Sequence, residues 1–156
     1  MGGSSRGQEL SSSWARIVAM TPTLQIAFDA ADPHALARFW AAALGYEVED
    51  HTTVIDGLLA AGHLGEADVL ADGDRRGFRD VATARGPGPR VFVQRVPESK
   101  SAKNRVHLDL QVGPDGAPAE VERLVALGAR VLWTTSDRGP VTTTLCDPEG
   151  NEFCVS

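Results

Sequence analysis

The chain has 156 residues, 42% of them hydrophobic and 23% charged, with a formal net charge of −6. That length suits a single domain with a core of its own, and the acidic balance argues against a nucleic-acid binder, which needs a clustered basic face. The longest apolar runs fall far short of the roughly 20 residues that span a bilayer, so no membrane partner is expected.

The chain starts "MGGSSRGQELSSSW", which is Gly/Ser-rich and has no apolar signal-peptide core. Residues 1–20 read as a disordered extension ahead of a folded domain over 21–156, and a cytoplasmic location is expected. In that compartment Cys146 and Cys154 are expected as thiols. Because they flank the turn "DPEGN" almost symmetrically, a cross-strand disulfide is the alternative.

The first folded element is a strand in "LQIAFDA", followed by an amphipathic helix. Asp32 suits the N-cap and Pro33 the first helical position, where its missing N–H costs nothing. Leu36, Phe39, Trp40, Ala43 and Leu44 form one apolar stripe, and Gly45 ends the helix. "YEVED" then reads as a strand. A Gly/Asp-rich region over 56–80 has no clear period, and "RVFVQRV" follows the turn signal "GPGP" as another strand. The loop from about 56 to 89 is expected to control access to a binding site.

"NRVHLDLQV" (104–112) alternates as a half-buried strand. Val106, Leu108, Leu110 and Val112 take one face, and His107, Asp109 and Gln111 take the other. A second helix places Val121, Leu124 and Val125 inward, with Glu120, Glu122 and Arg123 toward solvent, and ends at Gly128. "RVLWTT", "VTTTLC" and "EFCV" complete the chain, the last two joined by a type I turn, Asp147-Pro148-Glu149-Gly150.

These elements repeat. "LQIAFDAADPHALARFWAAALGYEVE" lies on "VHLDLQVGPDGAPAEVERLVALGARVL", with Gln25 falling on His107 and Gly45 on Gly128. The pattern is β-α-β-β-β twice, an α+β class with module 1 over about 22–97 and module 2 over about 104–156. Two such modules form a curved, partly open mixed sheet around a cavity.

Three spaced segments, "ADPHALARFWAAALGYEV", "VFVQRVPESKSAKNRVHLDL" and "CDPEGNEFCV", carry a resemblance to the vicinal oxygen chelate superfamily. That superfamily includes glyoxalase I, bleomycin-resistance proteins and extradiol dioxygenases. More narrowly, the chain resembles a bacterial glyoxalase-like group. Metal-dependent relatives place one ligand on the first and one on the last strand of each module. By position these become Gln25, His107 and Cys154, with Phe92 fourth, or Gln94 after a two-residue shift. The two carboxylates of the usual quartet are missing, and Glu152 joins the face of Cys154 only if the register slides. The resemblance therefore implies no metal cofactor. The fallback is a divalent Zn, Ni or Mn ion held by Gln25 and His107.

His107 remains open between metal ligand, polar cavity residue and structural histidine. Cys154 remains open between a packing thiol, a thiolate ligand and a nucleophile activated by His107. Phe39 and Trp40 are core residues, whereas Trp133 and Tyr46 suit either core or cavity wall. The basic residues Arg90, Arg95, Lys100, Lys103 and Arg105 are solvated, or they flank the cavity mouth and favour an anionic ligand.

The expected cavity is lined by Gln25, Phe92, Gln94, His107, Trp133 and Cys154. The expected function is small-molecule binding, with homodimerisation. Two alternatives remain: a metal-dependent lyase or isomerase of the glyoxalase type, and a resistance-type binder that sequesters a drug in a groove between two subunits.

Overall fold

The computed structural model describes residues 22–137 and 139–156, so the expected extension over 1–20 lies outside the described residues. Module 1 contains β1 (Gln25–Ala30), α1 (Pro33–Leu44), β2 (Glu47–Val48), α2 (Thr52–Ala60), β3 (Val69–Asp72), β4 (Arg75–Phe78), β5 (Val81–Arg85) and β6 (Arg90–Arg95). Module 2 contains β7 (Asp109–Leu110), α3 (Ala117–Ala126), β8 (Arg130–Thr135), β9 (Thr142–Cys146) and β10 (Glu152–Val155).

The repeat is visible in the pairing. One sheet runs β1-β6-β5-β2 and the other β7-β10-β9-β8, and in each the first strand lies parallel to the last. The registers match as well: Phe92 pairs with Ala27, and Cys154 with Asp109. Both pairs are 82 residues apart in the first strand, the offset that relates Gln25 to His107.

Each sheet is apolar on one face only, and both apolar faces close on one core. Phe28 and Ala30 of β1 point into it with Val91 and Val93 of β6, and Leu145, Phe153 and Val155 enter it from module 2. Trp40 is fully buried at the centre. Its ring stacks on Phe28 at 5.2 Å and meets Phe39 and Phe153 edge-on at 5.4 and 5.2 Å. Its indole N–H donates to Asp147 Oδ2 at 3.1 Å. Asp147 is otherwise held by Glu149 N–H, Asn151 N–H and the Asn151 amide, so the turn at 147–150 is tied to α1 of the other module.

Two further links join the modules at the ends of α1. At its start, Asp32 caps the N–H groups of His34 and Ala35, and its own N–H donates to Glu149 Oε1 at 2.9 Å. At its end, Gly45 takes the left-handed conformation with φ of 66°. The last carbonyls of Ala42 and Ala43 accept from Arg123 of α3 at 3.0 and 2.9 Å. Arg123 was expected only to face solvent; a guanidinium with five donors instead satisfies helix-end carbonyls that have no partner of their own.

Three expectations need revision. Val125 is exposed, because α3 reaches the core through Leu124 with Val121 packed beside it. The strand at 104–112 shrinks to Asp109–Leu110, and Val106 is 79% exposed. Before it, the backbone turns aside to give the Asn104 N–H to Glu152 at 3.0 Å. The region over 56–80 is ordered structure: α2 buries Ile55, and the β3–β4 hairpin turns through Gly73-Asp74, with Gly73 at φ 59° as a Gly-first two-residue turn requires. Arginines hold it in place, with Arg76 on Asp56 at 3.2 Å and Arg79 donating to the Val69 carbonyl at 2.9 Å.

Cys146 pairs with Glu152 and Cys154 with Thr144, so the two cysteines are not opposite one another, and both are free thiols. Among the described residues no helix is long and apolar enough to cross a membrane.

Candidate functional site

The faces turned away from the core carry the polar chemistry. In module 2 the registers align one row across the whole sheet: Trp133 beside Thr144, Thr144 beside Cys154, and Cys154 beside Asp109. Thr135 and Thr142 pair in the next row. This face floors an open cavity of about 940 Å3 that includes His107, Trp133 and Cys154. Three of the six expected site residues therefore meet. Trp133 is 46% exposed and belongs to the cavity wall, not the core.

His107 Nε2 lies 3.3 Å from the Asn104 carbonyl oxygen. A carbonyl only accepts, so this contact places the proton on Nε2. Burial pushes the Cys154 thiol up from its ordinary value; a contact from Thr144 opposes that, and the Asp109 carboxylate adds to it. Cys154 is therefore a neutral thiol near neutral pH, poorly suited to nucleophilic attack. Glu152 shares the Cys154 face without any slip of register, but Lys100 at 3.0 Å and the Asn104 N–H occupy its carboxylate.

Gln25, Phe92 and Gln94 lie on the corresponding face of module 1, and none of them lines the 940 Å3 cavity. Gln25 Oε1 accepts from Arg90 at 3.0 Å, and the Gln94 amide donates to Asp29 at 2.8 Å. Sequence reasoning missed the network beside them. Glu49 accepts from both Arg85 and Arg90, and His51 Nε2 lies 2.8 Å from the hydroxyl of buried Thr83. Thr83 pairs with Phe92 as Thr144 pairs with Cys154, but the hairpin spans differ by a residue, which hides the match in the sequence.

The 52–80 insertion lines a different cavity of about 400 Å3, which includes His34, Arg38, His51 and Leu70. It contributes nothing to the wall that holds His107.

Two carboxylates in these networks set the response to acid. Burial alone would raise the Glu49 carboxyl, but hydrogen bonds from Thr83, Arg90 and Arg85 outweigh it and hold the group at about 2. The Asn104 N–H, working against burial, and Lys100 hold Glu152 at about 2 as well. A folded-state value below the ordinary 4.5 stabilises the fold above 4.5, and that contribution disappears as the pH falls toward 2. The melting temperature should therefore drop across that window, and Glu49→Gln with Glu152→Gln should flatten the drop. An unchanged acid limb in the double variant would show that neither network matters.

A family model described as a glyoxalase-like domain matches residues 25–156. The chain belongs to the glyoxalase-like domain family. Solved structures agree on the fold. The fosfomycin resistance protein FosX from Mesorhizobium loti superposes with a TM-score of 0.58 at 11% identity, covering 87% of this chain and 90% of that one. A point mutant of FosX from Listeria monocytogenes, complexed with Mn(II) and 1S,2S-dihydroxypropylphosphonic acid, gives 0.56 at 12%, covering 87% and 89%. A glyoxalase/bleomycin resistance protein/dioxygenase family enzyme from Burkholderia phytofirmans gives 0.55 at 12%, covering 84% and 94%. A comparison with curated proteins finds no match.

In this glyoxalase-like chain the four candidate ligand positions read from the sequence are split between two faces: Gln25 and Phe92 on one, His107 and Cys154 on the other. Among the described residues no three His, Cys, Asp or Glu side chains gather in a way that could hold a metal ion.

Proposed function

We propose that this glyoxalase-like protein is a cytoplasmic binder of a small organic molecule and that it works without the metal quartet of its relatives. The observation that carries the reading is the donor set itself. Phe92 offers no lone pair, and the Gln25 carbonyl is engaged by Arg90, which leaves only His107 and Cys154 together at one cavity. These residues do not fit a divalent ion, and Gln94, whose amide N–H donates to Asp29, does not complete a set because it lies outside the cavity that holds His107 and Cys154. What remains is an open polar cavity with one aromatic wall, which suits binding more than proton transfer.

We also propose that the protein acts as a homodimer in which the module 1 face of one copy closes over the module 2 cavity of the other. Supporting this, both polar faces are turned away from the shared core, and the 940 Å3 cavity is open on that side.

Elemental analysis after incubation with nickel, zinc or manganese, followed by desalting, tests the metal-free reading. The expected result is well under one metal per chain, with the melting temperature unmoved by a chelator. Stoichiometric metal that is lost in His107→Ala would replace this reading with the metal-dependent lyase. Native mass spectrometry tests the dimer, and a monomer at micromolar concentration would overturn it.

A further inference from the structure

The linker between the modules carries Lys100 and Lys103, which as sequence suggested an anionic ligand at the cavity mouth. The structure uses both differently. Lys100 is paired with Glu152, and the Lys103 ammonium lies over the Trp133 ring, 5.6 Å from its centroid. Trp133 is also the aromatic wall of the module 2 cavity. The chain thus places one of its own cations against the cavity's aromatic wall.

The rest of the wall favours the same charge. Among the described residues the charged side chains that line the cavity are Asp109 and Asp137, with Lys103 lying over its Trp133 wall. Asp109 forms no salt bridge among the described residues. Its carboxylate faces the Cys154 thiol, a weak donor that leaves most of its acceptor capacity unused. The hydroxyls of Thr135, Thr142 and Thr144 add acceptors that N–H groups can reach. With Lys103 displaced, an anion would meet Asp109 with no other cation among the described lining residues to neutralise it. A cation would find an indole face, the best of the aromatic surfaces for this contact, together with carboxylates on a chain of net charge −6.

We infer that the module 2 cavity takes an organic cation, a small molecule bearing an ammonium group, which seats on Trp133 by displacing the Lys103 side chain. The inference rests on the small-molecule reading above and names the ligand class for the same site. Lys103 acts as an internal competitor, and the linker that carries it moves aside when the ligand enters.

The test titrates the full chain with three probes of one shape: 2-phenylethylamine, a cation near neutral pH, 2-phenylethanol and phenylacetate. NMR reads the indole N–H of Trp133 and the ring of His107. The amine is expected to bind tightest and phenylacetate weakest. Lys103→Met is expected to tighten the amine by about two- to five-fold, the range a single exposed cation–π contact supplies, and to leave the alcohol unchanged. Trp133→Leu and Asp109→Asn should each weaken the amine by a similar factor or more.

If all three probes shift the cavity resonances with equal affinity, or if Lys103→Met weakens the amine, the cavity binds ligands but the cation inference is wrong. If none of the three shifts them at millimolar concentration, the small-molecule reading of this cavity fails and the inference fails with it.

Discussion

Trp40→Ala should lower the free energy of unfolding by about 3–5 kcal/mol, the range for removing a large buried aromatic. The position favours the upper part of that range. Trp40 is fully buried, touches Phe28 of its own module and Phe153 of the other, and donates to Asp147. Truncation would open a cavity at the seam between the modules, where neither sheet can collapse without losing the other. Trp40→Phe separates the two contributions. It keeps one aromatic ring in the core but removes the N–H donor and the rest of the indole, and Asp147 retains Glu149 and Asn151, so the loss should be about 1–3 kcal/mol. Urea unfolding followed by circular dichroism measures both, and one transition should report both modules in the native chain. A Trp40→Ala loss under about 1 kcal/mol, or two separate transitions, would mean that the modules do not share the core described above.

Much of this was legible in the sequence because it depends on local signals that repeat. Asp32, Pro33 and Gly45 mark the ends of α1 by chemistry that acts within one turn of helix. The 82-residue offset exposed the pairing of Gln25 with His107, and the same offset reappears in the strand registers. Less legible was anything decided by a partner distant in the chain. The strand at 104–112 lost its first half because Glu152, 48 residues away, takes the Asn104 N–H. Arg123 looked solvated because the carbonyls it satisfies belong to the other module. The six cavity residues were read as one set, since the repeat superposes the two modules in sequence. In space it gives each module its own polar face, and it leaves His107, Trp133 and Cys154 together without the other three. The regular structure over 52–80 was obscured by composition, since a hairpin turning on Gly73-Asp74 and a nine-residue helix leave little period to read.

The second large effect expected is at Gly86. Gly86→Ala should cost about 1–3 kcal/mol, the range for forcing extra atoms into a filled space. A Cβ there would lie 2.1 Å from Cδ1 and 2.5 Å from Cε1 of Tyr46, and one at Gly88 would lie 2.3 Å from the same side chain's hydroxyl. The Tyr46 ring thus lies directly over the backbone of the "GPGP" loop, and Tyr46 is fixed at its root by an N–H bond to the Ala41 carbonyl at 2.8 Å. Neither glycine has a positive φ, so the requirement comes from the tyrosine and not from the backbone. A double-mutant cycle separates the two causes: in a Tyr46→Ala background, Gly86→Ala should cost almost nothing. A cost that persists there would place the requirement in the loop itself. The loop also sets which residues face each other on β5 and β6. It places Thr83 opposite Phe92 and brings Arg90 within reach of both Gln25 and Glu49. Gly86→Ala should therefore disturb the module 1 face while leaving the Trp133 cavity intact. A ligand bound by the second cavity alone would keep its affinity, whereas one that needs the first module's face would lose it.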